Sequence, residues 1–143
     1  MKTLDYIHLD AVAAGKVVEA LQQLLADYQV FYTNLRGFHW NIKGHGFFVL
    51  HSKFEDMYND AAEKVDELAE RILMLGGVPV NKFSEYLKVA KVKEVSGVSC
   101  ADEALENVLD TYGRVGQTGW ILRSKSFTPS SSSSFWIIML NVG

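Results

Sequence analysis

Two pairs of side chains with metal-ligand chemistry stand out in this 143-residue chain. His51 with Glu55, and Asp66 with Glu70, are each spaced i,i+4, so on a helix each pair converges on one point. At 100° per residue, with His51 as zero, Glu55 lies roughly 40° round, Asp66 roughly 60° and Glu70 roughly 100°. All four share one flank, with the small Ala62 and Ala69 between them. Charged groups beside an apolar stripe need a partner or a metal, and imidazole with carboxylate suits iron, with manganese or zinc as substitutes. The two pairs are about 22 Å apart along a helix, so one metal cannot touch both in the same chain. Two copies packed antiparallel about a two-fold axis would instead bring His51/Glu55 of one to Asp66/Glu70 of the other, twice. The spacing therefore points to a metal site between subunits of an isologous dimer.

Each residue has a plainer reading. His51 alone would pass for a satisfied core histidine. Glu55 would suit a surface ion pair with a nearby lysine. Asp66 and Glu70 could be structural partners of Arg71 or Lys64, although those bases fall on the opposite, solvent-side face with Lys53, Asp56, Asp60 and Glu67. His45, between two glycines, reads as a loop residue, and His8 lies in an N-terminal arm.

The element that must carry these residues runs over 48–75. Phe54, Tyr58, Ala61, Val65, Leu68, Ile72 and Leu75 alternate four and three apart, the pattern of a helix packed in a bundle. Gly76-Gly77 followed by Pro79 is a helix stop. A first helix is expected over 10–41, with a seam of Val17, Leu21, Leu24, Tyr28, Phe31, Leu35 and Phe38. Beside it, Val18, Leu25, Tyr32 and His39 recur every seven residues, so His39 extends a buried stripe to the turn at Asn41–Gly46. After Pro79 the pattern weakens, with a short helix expected over 83–89. A third long helix is expected over 100–115, opened by a capping box of Ser99 and Asp102 and lined by Ala101, Leu105, Val108, Leu109, Tyr112 and Val115. Asp102, Glu103, Glu106 and Asp110 read as a solvated acidic face, with an iron entry path as the sharper alternative. Gly113, Gly116 and Gly119, then Pro129 and a run of serines, break the pattern, so residues 116–143 are expected to be an atypical tail.

The fold class is thus all-α, in a single domain. A net charge of −3 with Lys2 as the arm's one base gives no basic surface for nucleic acid. The lone Cys100 suits a reducing cytosol. The start MKTLDYIHLDA does not read as a signal peptide, and no apolar run nears the ~20 residues of a membrane span. A cytoplasmic protein is expected.

The run FHWNIKGHGFFVLHSKFEDMYNDAAEKVDELAERILMLGGVP closely resembles the Dps family, the DNA-protection-during-starvation mini-ferritins of the ferritin-like superfamily. The match rests on His39-Trp40-Asn41, His51, the acid four residues later, Asp66, Ala69-Glu70-Arg71 and Leu75-Gly76-Gly77, within a likeness spanning roughly residues 10–115. It implies a ferritin-like four-helix bundle with a short helix between the second and third long helices. It also implies a dodecameric shell that oxidises Fe(II), usually with hydrogen peroxide, and stores ferric iron. By position it implies a di-iron or mono-iron ferroxidase centre at a two-fold interface, with His39, His51 and Glu55 from one chain and Asp66 and Glu70 from its neighbour. Trp40, beside His39, would be an electron donor or a packing aromatic. Two departures are visible. The family usually has aspartate where Glu55 stands, and beyond about Val115 neither the rest of the third helix nor a fourth helix is recognisable. The competing functions are a DNA-binding nucleoid protein, which the charge argues against, and an altered subunit whose tail prevents assembly.

Overall fold

The structure, a computed structural model, describes residues 10–125. Among them are four helices and no strand: α1 (Ala11–Asn41), α2 (Phe47–Met74), α3 (Phe83–Val89) and α4 (Ala101–Lys125). The expectation that a fourth long helix is absent or atypical falls outside the described residues, as does most of the tail expected to be atypical.

Helix α1 starts at Asp10, whose carboxylate accepts from the backbone N–H groups of Val12 and Ala13 at 3.3 and 3.1 Å, satisfying donors that a helix start leaves open. Helix α2 ends in a Schellman motif: Gly77 N–H donates to the Ile72 carbonyl and Gly76 N–H to that of Leu73, both at 2.9 Å. Gly76 takes the left-handed φ of 76° that this closure needs. The turn between α1 and α2 uses Gly44 and Gly46 in the same region, at φ 85° and 86°.

Helices α1 and α2 form an antiparallel hairpin with two core layers. Near the turn, Phe31, Leu35, Phe38 and Ile42 pack with Phe54, Ala61, Val98, Ala104 and Val108. Toward the other end, Leu21, Leu24, Leu25 and Val30 pack with Leu68, Ile72, Leu75, Tyr86, Val92 and Val115. Both seams read from heptad spacing are therefore the buried ones.

Residues 75–100 return along α1, held by its side chains. Gln22 donates to the Val78 carbonyl at 2.7 Å and accepts from Val80 N–H at 3.0 Å. Asp27, only 1% exposed, accepts from Lys91 N–H at 2.6 Å and Val92 N–H at 3.0 Å. Asn34, 4% exposed, donates to the Lys93 carbonyl at 2.8 Å and accepts from Val95 N–H at 3.0 Å. At the far end Lys43 N–H donates to the Ser99 carbonyl at 3.0 Å. This long crossover starts α4 beside the α1–α2 turn, so α4 runs parallel to α2. One long crossover of this kind is the ferritin-like connection.

Three expectations about α4 need correction. The helix does not stop near Val115; it continues to Lys125. A glycine costs a helix only about 1 kcal/mol, and Gly113 and Gly116 sit with open space around their Cα, so neither terminates it. Ser99 is not the cap, because the first helical bond goes from Ala104 N–H to the Cys100 carbonyl at 3.1 Å. The buried face is Ala104, Val108, Thr111 and Val115, while Leu105, Leu109 and Tyr112 are exposed, Leu109 by 70%. Helix α4 meets α1 along one narrow seam, which leaves its second apolar stripe uncovered by the described residues.

Candidate metal centre

The α1–α2 hairpin puts His39, near the end of α1, against His51, in the second turn of α2. The imidazoles stack with centroids 3.7 Å apart and planes 21° from parallel. Each is tied to the other's backbone. His39 Nδ1 donates to the His51 carbonyl and His51 Nδ1 to the His39 carbonyl, both at 2.8 Å. A carbonyl oxygen can only accept, so each Nδ1 must carry the proton. In the neutral imidazoles the lone pair then sits on Nε2 of both rings, the atom a metal would take, with the other nitrogen anchored on a backbone carbonyl, as it usually is in metal-bound histidines. Phe47 stacks on His51 at 5.0 Å and Tyr58 meets His39 edge-on at 5.4 Å, so neither ring can swing away.

Around this pair the aromatics continue. Tyr58 meets Tyr32 edge-on at 6.0 Å, and the Arg36 guanidinium lies 5.0 Å from the ring centroids of both Tyr32 and Trp40. Trp40 is 65% exposed, so its role in packing is to hold Arg36 rather than to fill the core.

The carboxylates are placed differently. Glu55, Asp66 and Glu70 are all exposed on the outer face of α2, and none forms an ion pair with another described residue. Lys64 pairs with Glu67 at 3.6 Å, which removes it as the structural partner of Asp66 or Glu70. Among the described residues no three His, Cys, Asp or Glu side chains of one chain gather as a metal site. The hairpin brings His39 and His51 together and leaves Glu55, Asp66 and Glu70 apart from them. The seven-residue stripe placed His39 near the turn, but its reciprocal bonds with His51 depend on how the chain turns at Gly44 and Gly46. Asp27 and Asn34, which sequence reasoning missed, carry one signal: two polar residues seven apart on a helix whose neighbouring positions are apolar.

The outer face of α2 is self-complementary when turned antiparallel on itself. If Glu55 faces a second copy's Asp66, then His51 faces Glu70, the small Ser52 faces Ala69, and the exposed Phe48 faces the exposed Leu73. Acid meets imidazole, small meets small, and apolar meets apolar.

Residues 18–118 match the family described as Ferritin-like domain. Over 110 residues, 77% of this chain and 69% of the relative, the sequence is 58% identical to a DNA protection during starvation protein of Porphyromonas gingivalis. A DNA protection during starvation protein 2 of Bacillus anthracis is 41% identical over 97 residues, 68% of this chain and 66% of that protein. Among solved structures, a DPS protein of Vibrio cholerae O1, described as belonging to a broad superfamily of ferritin-like diiron-carboxylate proteins, superposes with a TM-score of 0.79 at 44% identity, covering 80% of this chain and 72% of that one.

Proposed function

The chain belongs to the Dps family of ferritin-like proteins, and on that premise we propose that it is a ferroxidase that oxidises Fe(II) with hydrogen peroxide and stores the ferric product. The observation that carries this reading is the reciprocal histidine lock, which fixes both imidazoles at Nδ1 and leaves both Nε2 lone pairs for a metal. The donor chemistry fits iron: nitrogen from His39 and His51, oxygen from Glu55 on the same chain and from Asp66 and Glu70 of a second copy. Carboxylates favour the ferric state, so product formation is helped by the same oxygens that hold the substrate.

Two Fe(II) ions each give one electron, the O–O bond of hydrogen peroxide is cleaved, and protons from solvent complete two waters. Taking both electrons at one centre avoids release of hydroxyl radical. The histidines contribute orientation, since rings fixed at Nδ1 do not turn when the metal changes charge. Glu55 has one methylene more than aspartate, which gives its carboxylate a longer reach across the interface. The setting proposed is the cytoplasm, in keeping with the single thiol of Cys100; among the described residues no helix is long and apolar enough to cross a membrane. The two-fold dimer is the unit this chemistry needs, and a dodecameric shell is the assembly that would store its product.

Stopped-flow absorbance of stoichiometric Fe(II) with peroxide tests the assignment. The double variant His51→Ala/Asp66→Ala should lose rapid oxidation while keeping its helical circular dichroism. Oxidation at the unmodified rate would remove the claim.

A further inference from the structure

The outer face of α2 raises an electrostatic difficulty. From His51 round to Glu63, roughly 120° away, it carries Glu55, Glu63, Asp66 and Glu70, and Lys53, Lys64 and Arg71 lie on the far side. Two such faces brought together antiparallel repel unless positive charge enters between them. Iron would neutralise the ligand acids, but Glu63 is outside that set.

Besides His39, helix α1 holds two basic residues, Lys16 and Arg36. Arg36 lies about 60° round α1 from His39, on the side away from Leu35 and Phe38, and so borders the same outer groove as the α2 acids. Its guanidinium is clamped at 5.0 Å over both Tyr32 and Trp40. Its Nε is buried with no hydrogen-bond partner, and it makes no ion pair with a described residue. A buried, unpaired donor is costly, and a preorganised, always charged guanidinium is the group best suited to receive a carboxylate.

We propose that Arg36 is an intersubunit anchor that receives the carboxylate of Glu63 of the partner subunit. This rests on the two-fold reading above. Within one chain His39 is level with His51 and Tyr32 with Tyr58, which puts Arg36 level with Phe54. Across the two-fold that level meets the partner's α2 within about one turn of Glu63. Of the acids there, Asp66 and Glu70 are ligands in the proposed centre and Glu67 is held by Lys64 at 3.6 Å. Glu63 is the one without a role.

The test compares Arg36→Glu, Glu63→Arg and the double reversal in the full, iron-free chain by sedimentation equilibrium, with circular dichroism to confirm folding. Each single change should weaken dimerisation by about tenfold, equivalent to about 1.4 kcal/mol. The double change should return to within about threefold of the unmodified chain, the signature of direct coupling. A double variant no tighter than the weaker single would overturn the pairing, and Glu63→Arg gives its answer without altering α1 should Arg36→Glu fail to fold. A second measurement separates this from the two-fold reading. Ala62→Cys in a Cys100→Ser background should give a covalent dimer with a short thiol-reactive linker. If it does and the charges are not rescued, Arg36 alone is wrong; if no dimer forms, the antiparallel contact and the Arg36 anchor fall together.

Discussion

A methyl group added at Gly77 has no room. A Cβ there would sit 2.8 Å from Val18 Cγ1, 2.9 Å from Ile72 Cγ2 and 3.2 Å from the Ile72 carbonyl oxygen. The last of these is backbone and cannot turn aside. Gly77→Ala should therefore lower stability by about 1–3 kcal/mol, seen as a lower denaturation midpoint in urea with an unchanged slope. A midpoint unaltered by the change would show that α1 and α2 can separate at this end without loss. Tyr28 gives a second residue-level expectation. Burial first, then the nearby Tyr112, Asp60 and Glu67, pushes its phenol above the usual 10.0; Tyr112, although 45% exposed, packs edge-on against Phe31, and the solvent this removes, with Asp60 nearby, raises its phenol too. A folded pKa raised above the unfolded one means the contribution is whole below pH 10 and is lost as pH rises through the folded value. Phenolate absorbance at 295 nm should lag behind free tyrosine, and unfolding should set in as these two groups ionise. Gly77 was legible in the sequence as a helix stop, because a Gly-Gly-x-Pro run has few other meanings. Its role as the point where α2 meets Val18 was not, since close approach depends on how two helices cross.

Outside α3 the crossover is tied to α1 by side-chain hydrogen bonds, and its stability can be varied separately. Asn34→Leu keeps the size of the side chain but strands the Lys93 carbonyl and Val95 N–H. Leaving these part-buried backbone groups unpaired should cost about 1 kcal/mol and speed hydrogen exchange over residues 91–95 while α2 exchanges as before. Equal acceleration in both segments would mean that the crossover is not a separate unit. Elements with strong periodicity were readable in advance: the seams on α1 and α2 set the hairpin, and four-three spacing leaves little freedom about which faces meet. Helix α4 was harder for a physical reason. Its buried seam uses Ala104 and Thr111, residues too small or too polar to register as apolar, while Leu105, Leu109 and Tyr112 look like core and are exposed. Hydrophobicity shows that a face needs cover, not which neighbour supplies it.

At the scale of the whole molecule, the candidate centre divides into a part that one chain carries and a part that only a second copy can supply, which the spacing leads one to expect but one chain cannot display. The arc of His51, Glu55, Asp66 and Glu70 is a property of one helix and can be counted off the sequence. Whether two such arcs meet is a property of two chains, and a single copy leaves all three acids of the arc exposed. This makes the centre testable by complementation. A His51→Ala chain and an Asp66→Ala chain should each be inactive alone, since both centres of either homodimer lack a ligand. In a heterodimer, one centre takes His51 from the Asp66→Ala chain and Asp66 from the His51→Ala chain, and is intact; the other lacks both. Unfolding and refolding an equimolar mixture should thus restore about a quarter of the unmodified Fe(II) oxidation, because half the dimers are mixed and each holds one working centre out of two. Simple mixing without exchange should restore none. A mixture that stays inactive after verified subunit exchange would mean that His51 and Asp66 do not serve one shared centre.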